Sequence, residues 1–145
     1  MSIERNKEIV RRFYDEVWNQ GRLAAADELF APHFRDTDAP PDVPPGPQGV
    51  KEFVALNLRR LPDLRYTLDE LIAEGDLVAA VWTATGVNTG DLDRRQQPPL
   101  PPTGRRVAWR GVTVFRLAEG QIVAYHITQN LLGVFRELGL VADAA

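Results

Sequence analysis

The side chains best suited to chemistry in this sequence lie close together near its C-terminus. Residues 122–130 read Ile-Val-Ala-Tyr-His-Ile-Thr-Gln-Asn. His126 carries an imidazole, a side chain suited to general acid or base catalysis, and Gln129 and Asn130 can hydrogen-bond to a substrate carbonyl. We therefore take His126, Gln129 and Asn130 as candidate catalytic residues and Thr128 as a candidate substrate-binding residue.

This segment is rich in β-branched and aromatic residues and is predicted to be a strand. Alternation places the following residues on its two faces: Val123, Tyr125, Ile127 and Gln129 on one, and Ile122, Ala124, His126, Thr128 and Asn130 on the other. The second face either points to solvent, as in an ordinary amphipathic strand, or lines the cavity of a strongly bent sheet. Alternation alone leaves both interpretations open.

Asp36 is a further candidate catalytic residue. It follows His33 in a link between predicted helices, from where its carboxyl could reach the mouth of a cavity; an exposed acidic loop is the alternative. Candidate substrate-binding residues are the aromatic side chains that could form either pocket wall or core, namely Tyr14, Trp18, Phe34, Phe53, Trp82 and Trp109.

Composition and missing motifs argue against several classes of function. A formal net charge of −3 with mixed signs argues against a nucleic-acid partner. The chain has no cysteine, and its two histidines form no metal-ligand pattern, so we predict no metal. No nucleophile elbow, phosphate loop or dinucleotide fingerprint occurs, and we expect no cofactor. The N-terminus is charged, and the longest apolar run is too short to cross a bilayer. We therefore predict a cytoplasmic protein with no membrane partner.

The order of predicted elements indicates one α+β domain over residues 1–145. Helices are predicted at 2–19, around 23–30, at 48–60 and at 131–140, and strands at 64–73, 77–88, 105–118 and 121–130. Nine of the eleven prolines fall in residues 40–47 and 98–102, which predicts two extended loops. Such loops either border a site or simply connect elements.

Several short sequence motifs occur together with this order of helices and strands: NKEIVRRFY at 6–14, GVKEF at 49–53, VWTATG at 81–86, PPTGRRV at 101–107 and LLG at 131–133. With them the chain resembles the SnoaL-like polyketide cyclases of the nuclear-transport-factor-2-like superfamily over nearly its whole length. The resemblance implies a curved antiparallel sheet that forms a cone, or α+β barrel, wrapped by the N-terminal helices around an apolar cavity. It also implies a homodimer through the sheet and a last long strand that lines the cavity.

The chain departs from that family at the positions that transfer protons. Familiar members use a carboxylate in a Trp-Asp pair on the last strand for an aldol ring closure, and here the pair reads His126-Ile127. A Gly-x-His-x-Gly phrase reads GVNTG at 86–90, and an Asp-His pair reads Asp36-Thr37. Residues 91–100 are longer than expected and could form a lid with the rest of the 91–104 loop.

Three hypotheses follow for an apolar, polyketide-like small-molecule substrate in natural-product biosynthesis. The first is a cyclase that preorganises its substrate with hydrogen-bond assistance, for example for an intramolecular [4+2] cycloaddition, which moves no proton. The second is an acid/base aldol cyclase or isomerase that uses His126 with Asp36. The third is a non-catalytic protein that binds the small molecule.

Overall fold

A curved, unclosed five-stranded sheet with helices against it forms the molecule. The structure, a computed structural model, describes residues 2–94 and 97–141. Within them the helices are α1 (Ile3–Arg12), α2 (Ala26–Leu29), α3 (Pro47–Arg60) and α4 (Leu131–Glu137). The strands are β1 (Phe30–Asp36), β2 (Arg65–Glu74), β3 (Leu77–Val87), β4 (Leu92–Arg94), β5 (Gln97–Leu100), β6 (Arg106–Ala118) and β7 (Gln121–Gln129). The predicted α+β class is confirmed.

The first predicted helix is present and has two parts. The Ser2 hydroxyl accepts a hydrogen bond from the Arg5 amide at 3.1 Å and so caps α1. From Phe13 to Asn19 the helix continues in the wider π form, which is uncommon and frequently occurs at functional sites. This segment directs Phe13, Tyr14, Val17 and Trp18 into the core, where each is buried.

The strand order in the main sheet is β1-β7-β6-β3-β2. The four long strands predicted from the sequence are confirmed, and β2, β3, β6 and β7 pair antiparallel. A fifth strand, β1, pairs parallel with β7 where the sequence predicted only the end of a helix and a link. A small hairpin, β4 with β5, lies within a segment predicted to be loop.

A β-bulge in β7 decides which of its side chains face the core. Arg116 pairs with Ala124 and Leu117 with Ile122, so Val123 is the extra residue. An extra residue reverses the alternation beyond it. Ile122 and Tyr125 are therefore both buried, although simple alternation placed them on opposite faces.

Aromatic side chains fill the concave side of the sheet. Trp82 is paired with Gly111 on β6, and a Cβ at Gly111 would collide with the indole, so the glycine makes room for this ring. Neighbouring rings stand edge-on or tilted at centroid distances of 4.7–6.4 Å, the preferred range for aromatic pairs. The rings of this cluster belong to Phe13, Tyr14, Trp18, Phe30, Phe34, Tyr66, Trp82, Phe115 and Tyr125.

Asn88 joins the two ends of the segment that carries the β4–β5 hairpin. It is fully buried, and its side-chain amide donates to the carbonyls of Arg60 and Gly90, both at 2.9 Å. Its Oδ1 accepts from the amide and the hydroxyl of Thr103 at 2.8 and 2.9 Å. The predicted lid includes residues 95–96, which lie outside the described residues, so its closure stays a prediction.

No helix within residues 2–94 and 97–141 combines the length and the apolar character needed to cross a bilayer.

Candidate functional site

A pocket of about 400 Å³ opens between the end of β1, the start of α3 and the loop predicted at 40–47, which we call the proline-rich loop. We call it the outer pocket. This volume falls in the range of small-molecule sites. Its walls are mostly apolar and consist of Phe34, Arg35, Asp36, Asp38, Ala39, Pro40, Pro41, Val43, Pro44, Pro45, Gly49, Val50, Glu52, Phe53, Leu56 and Tyr125.

Two glycines fix the proline-rich loop as one wall of this pocket. Gly46 has φ 73°, which favours glycine, its amide donates to the Phe34 carbonyl at 2.9 Å, and a Cβ there would lie 2.5 Å from the Pro32 carbonyl oxygen. A Cβ at Gly49, in the first turn of α3, would collide with the Pro44 carbonyl oxygen. The loop predicted at 40–47 therefore packs against the helix and borders the pocket.

Asp36 is the half-buried carboxyl of the outer pocket. It ends β1 in parallel register with Tyr125 of β7, and its Oδ1 accepts a hydrogen bond from the Asp38 amide at 3.0 Å. Burial raises the pKa of Asp36 because the charged form loses solvation, while the Asp38 amide lowers it by a smaller amount. Of the two placements that the sequence left open for Asp36, a cavity mouth and an exposed acidic loop, the first agrees with this position.

Deeper in the molecule the aromatic cluster leaves a second space of only about 10 Å³, roughly the size of one water. We call it the inner void. The Thr113 hydroxyl beside it accepts a hydrogen bond from Trp82 Nε1 at 2.9 Å and is also bonded to the Tyr14 hydroxyl. Gln129 Oε1, on the same wall, accepts from Trp109 Nε1 at 3.1 Å. The family resemblance implied a wide cavity in the cone, but packed aromatic rings occupy that space here.

Phe53 and Tyr125 line both the outer pocket and the inner void and so form the wall between them. Tyr125 is buried and stands edge-on to Phe34 and Phe115, at centroid distances of 4.9 and 5.6 Å. Burial in this apolar cluster raises the pKa of the Tyr125 hydroxyl well above its usual range. Phe53 is half-buried and stands edge-on to Trp18 at 5.8 Å.

The expectation that the polar face of the last strand lines a cavity is wrong. His126 and Thr128 are exposed on the outer face of the sheet, because the bulge at Val123 directs Tyr125, Ile127 and Gln129 to the concave side. Asn130 is also exposed, and it caps α4 by accepting a hydrogen bond from the Gly133 amide at 2.9 Å.

The candidate residues therefore separate into three places. Asp36, Phe34 and Phe53 meet at the outer pocket. The candidates that line the inner void are Tyr14, Trp18, Phe53, Trp82 and Gln129, and Trp109 is held beside it by the hydrogen bond to Gln129. His126, Thr128 and Asn130 lie outside both spaces, and a chemical role for any candidate stays a prediction.

Sequence reasoning missed Tyr125, Leu56 and Glu52, which also line the outer pocket. Tyr125 was placed on a largely apolar strand face without a role. Leu56 and Glu52 lie on the predicted third helix, and no local signal distinguishes a pocket-facing residue there from its neighbours. Among the described residues, no three His, Asp or Glu side chains are grouped to hold a metal ion.

A curved, unclosed sheet with helices on its concave side and a pocket at its rim places the protein in the nuclear-transport-factor-2-like class of α+β folds. The chain belongs to the SnoaL-like polyketide cyclase family, whose sequence model matches residues 8–138. The resemblance predicted from the sequence phrases is thereby confirmed.

Solved structures share this fold over almost the whole chain. TsrD from Streptomyces laurentii is 24% identical, with 97% of this chain and 99% of that chain covered and a TM-score of 0.84. A candidate SnoaL-like polyketide cyclase from Jannaschia sp. CCS1 is 27% identical, with 98% and 97% covered and a TM-score of 0.81. IdmH from Streptomyces antibioticus, a candidate polyketide cyclase, is 25% identical, with 92% and 98% covered and a TM-score of 0.74. Among curated proteins, no sequence matches this chain significantly.

Proposed function

We propose that the protein is a ring-forming cyclase that binds an apolar, polyketide-type intermediate in the outer pocket and uses Asp36 to transfer protons. The observation that carries this proposal is the half-buried Asp36 carboxyl in a largely apolar pocket of about 400 Å³. Because burial raises the pKa of Asp36, its carboxylate is a stronger base than a solvated aspartate. Family membership supports the reaction class.

In an intramolecular aldol closure, the Asp36 carboxylate removes a proton from a carbon next to a substrate carbonyl. The resulting enolate carbon attacks a second carbonyl of the same chain and forms the new carbon–carbon bond. The protonated Asp36 then returns its proton to the alkoxide oxygen, so the enzyme ends as it began. A positioned proton-transfer group of this kind contributes roughly 10²–10⁴-fold to the rate.

The pocket walls supply the second part of the catalysis. Phe34, Val50 and Leu56 give apolar surface, and the prolines of the 40–45 stretch add a wall with little backbone freedom. Holding a flexible chain in a reactive conformation can remove up to about 7–11 kcal/mol of an activation barrier. A pocket in which an apolar chain can adopt few conformations favours the reactive one.

Shape-driven ring closure without proton transfer, such as an intramolecular [4+2] cycloaddition, is the second candidate. The predominance of apolar lining in the outer pocket favours it. His126 and Asn130 are exposed on the outside of the protein, which argues against hydrogen-bond assistance from these two residues. A protein that binds the small molecule without converting it is the remaining alternative.

Replacement of Asp36 by Asn tests the leading proposal. The assay is turnover of a synthetic linear polyketide thioester, measured by chromatography, in wild type, Asp36→Asn and the control Glu52→Gln. Glu52 is an exposed carboxylate of the same pocket. We expect Asp36→Asn to lose roughly 10²–10⁴-fold in rate and Glu52→Gln to stay near wild type.

Other outcomes of this assay identify the alternatives. Unchanged turnover in Asp36→Asn would support shape-driven closure and reject proton transfer by Asp36. Tight binding of the thioester to wild type, measured by calorimetry, without any acceleration of product formation would reject both enzymatic proposals.

We also propose that two copies pair through the outer face of the sheet. Ile72, Ala79, Val114 and His126 lie side by side in one row across four strands, and Ile72 is 60% exposed. Ala79 and Val114 are partly exposed beside it, and contiguous apolar surface of this kind is typical of an interaction surface. Val114→Arg should convert a dimer to a monomer in analytical ultracentrifugation, and a monomeric wild type at micromolar concentration would contradict the proposal.

A further inference from the structure

Two rings, Phe53 from α3 and Tyr125 from β7, line both the outer pocket and the inner void and so separate them. The outer pocket holds about 400 Å³ and the inner void about 10 Å³. The length of any molecule bound in the outer pocket is therefore limited where these rings stand.

Of the two rings, Phe53 has more freedom to change. Tyr125 is 3% exposed and is held by surrounding rings, among them Phe34, Phe115 and Phe30. Phe53 is half-buried on the helix face that borders the outer pocket, and its ring meets Trp18 edge-on. A rotation or truncation of Phe53 thus affects the barrier while the sheet stays in place.

The space behind Phe53 offers polar groups as well as rings. Thr113 and Gln129 line the inner void, and each already accepts a hydrogen bond from a tryptophan ring nitrogen. A ketone oxygen only accepts hydrogen bonds, so the group of the inner void suited to a longer substrate is the side-chain NH₂ of Gln129, which can donate, whereas the outer pocket near Phe53 offers apolar wall. The outer pocket and the inner void would then bind different parts of one elongated molecule.

We propose that Phe53 determines substrate length: its ring closes the outer pocket, and an elongated ketone gains access to the inner void only when that ring is displaced or shortened. This inference rests on the proposed function, because it assumes that the substrate occupies the outer pocket. It assigns Phe53 a role in specificity, separate from proton transfer by Asp36.

The test measures binding of saturated methyl ketones of graded chain length by calorimetry. Such ketones have a single carbonyl and cannot close a ring, so binding is separated from the proposed turnover. The variants are Phe53→Ala, Phe53→Trp and the control Leu56→Ala, which shortens a side chain of α3 that lines the outer pocket without lining the inner void. Thermal unfolding of each variant checks that it is folded.

In wild type we expect affinity to rise with chain length, since each buried methylene adds to binding, and then to stop rising at a limiting length. Phe53→Ala should move that limit to longer ketones and bind the longest one about tenfold more tightly or better. Phe53→Trp should move the limit to shorter ketones, and Leu56→Ala should leave it unchanged. Tryptophan fluorescence gives a second readout, because Trp18 contacts Phe53.

Three results would overturn the inference: an unchanged limit in both Phe53 variants, equal shifts in Phe53→Ala and Leu56→Ala, or no ketone binding at all. The same titrations in Asp36→Asn separate the two proposals, since that variant should keep the wild-type limit. If turnover depends on Asp36 but both Phe53 variants keep the wild-type length limit, the proposed function stands and this inference is rejected.

Discussion

Asp36 stands in parallel register with Tyr125, and the amide of the following residue, Thr37, donates to the Tyr125 carbonyl at 3.1 Å. The candidate acid/base is thus carried by the end of a paired strand instead of a free loop. This backbone pairing fixes the position of the Asp36 Cα, and the Asp38 amide holds its carboxyl through a hydrogen bond to Oδ1. Strands hold the geometry of a site more precisely than loops do, so substitutions at this position should have well-defined effects.

Asp36→Asn should stabilise the protein at neutral pH. Because the folded-state pKa of Asp36 is raised above that of the unfolded chain, its favourable contribution is complete below about pH 3.9 and is lost as pH rises through the folded-state pKa. Asn keeps an oxygen for the Asp38 amide and avoids that loss. The free energy of unfolding of the variant, measured in urea at several pH values, should exceed that of wild type at pH 7 and converge with it in acid.

His126→Ala should reduce turnover by less than about tenfold, well short of the roughly 10²–10⁴-fold loss expected for a general base. The histidine is exposed, and it acts on Asp36 only through its charge, which lowers the pKa of that carboxyl. Removing it should shift the acidic limb of the pH–rate profile to higher pH. Thr128→Ala, on the same face, serves as control, and near-complete loss of activity in His126→Ala would restore the histidine as the catalytic base.

Gly49→Ala should destabilise the protein by about 1–3 kcal/mol, as overpacking does. Replacing glycine inside a helix with alanine ordinarily stabilises it, but here a Cβ would collide with the Pro44 carbonyl oxygen. The loop must move away, so ligand affinity in the outer pocket should also fall. Gln48→Ala, at an exposed neighbouring position, should change neither urea stability nor binding.

Asn88→Ala should cost about 3 kcal/mol or more in urea unfolding, because the amide of Thr103 and the carbonyls of Arg60 and Gly90 lose a buried partner. Hydrogen exchange should increase at the amides of the β4–β5 hairpin. Thr89→Ala, an exposed neighbour, should stay within about 0.5 kcal/mol of wild type. Equal stability of the two variants would show that Asn88 does not anchor this segment.

Most of the fold could be predicted because its main elements have strong local patterns. The apolar stripe and Ser2 cap of α1 and the long β-branched strands depend on neighbours in sequence. Strand β1 could not be predicted in this way. Its seven residues include Pro32, which suits a sheet edge and is rare elsewhere in sheets, and its hydrogen bonds are made with β7, far away along the chain.

The candidate site was only partly predictable for a related reason. Asp36 and the proline-rich loop were singled out by residue type, and both line the outer pocket. Alternation left the direction of His126 open and the family resemblance placed it toward the cavity, but the residue is exposed on the outer face. One bulged residue, Val123, determines which side chains of β7 face the core, and a bulge of this kind leaves no clear mark in the sequence. The volume left inside the cone depends on how many rings pack there, which composition does not determine.

The outermost strands of the sheet have a further consequence, for behaviour in concentrated solution. At one margin β1 carries Pro32 and a break in its register; at the other, β2 has a bulge between Leu68 and Glu70 and exposes charged side chains. Proline, bulges and charge all hinder the addition of another molecule's strand. The chain therefore carries its own protection against edge-to-edge aggregation at both margins, while its broad outer face remains open to association.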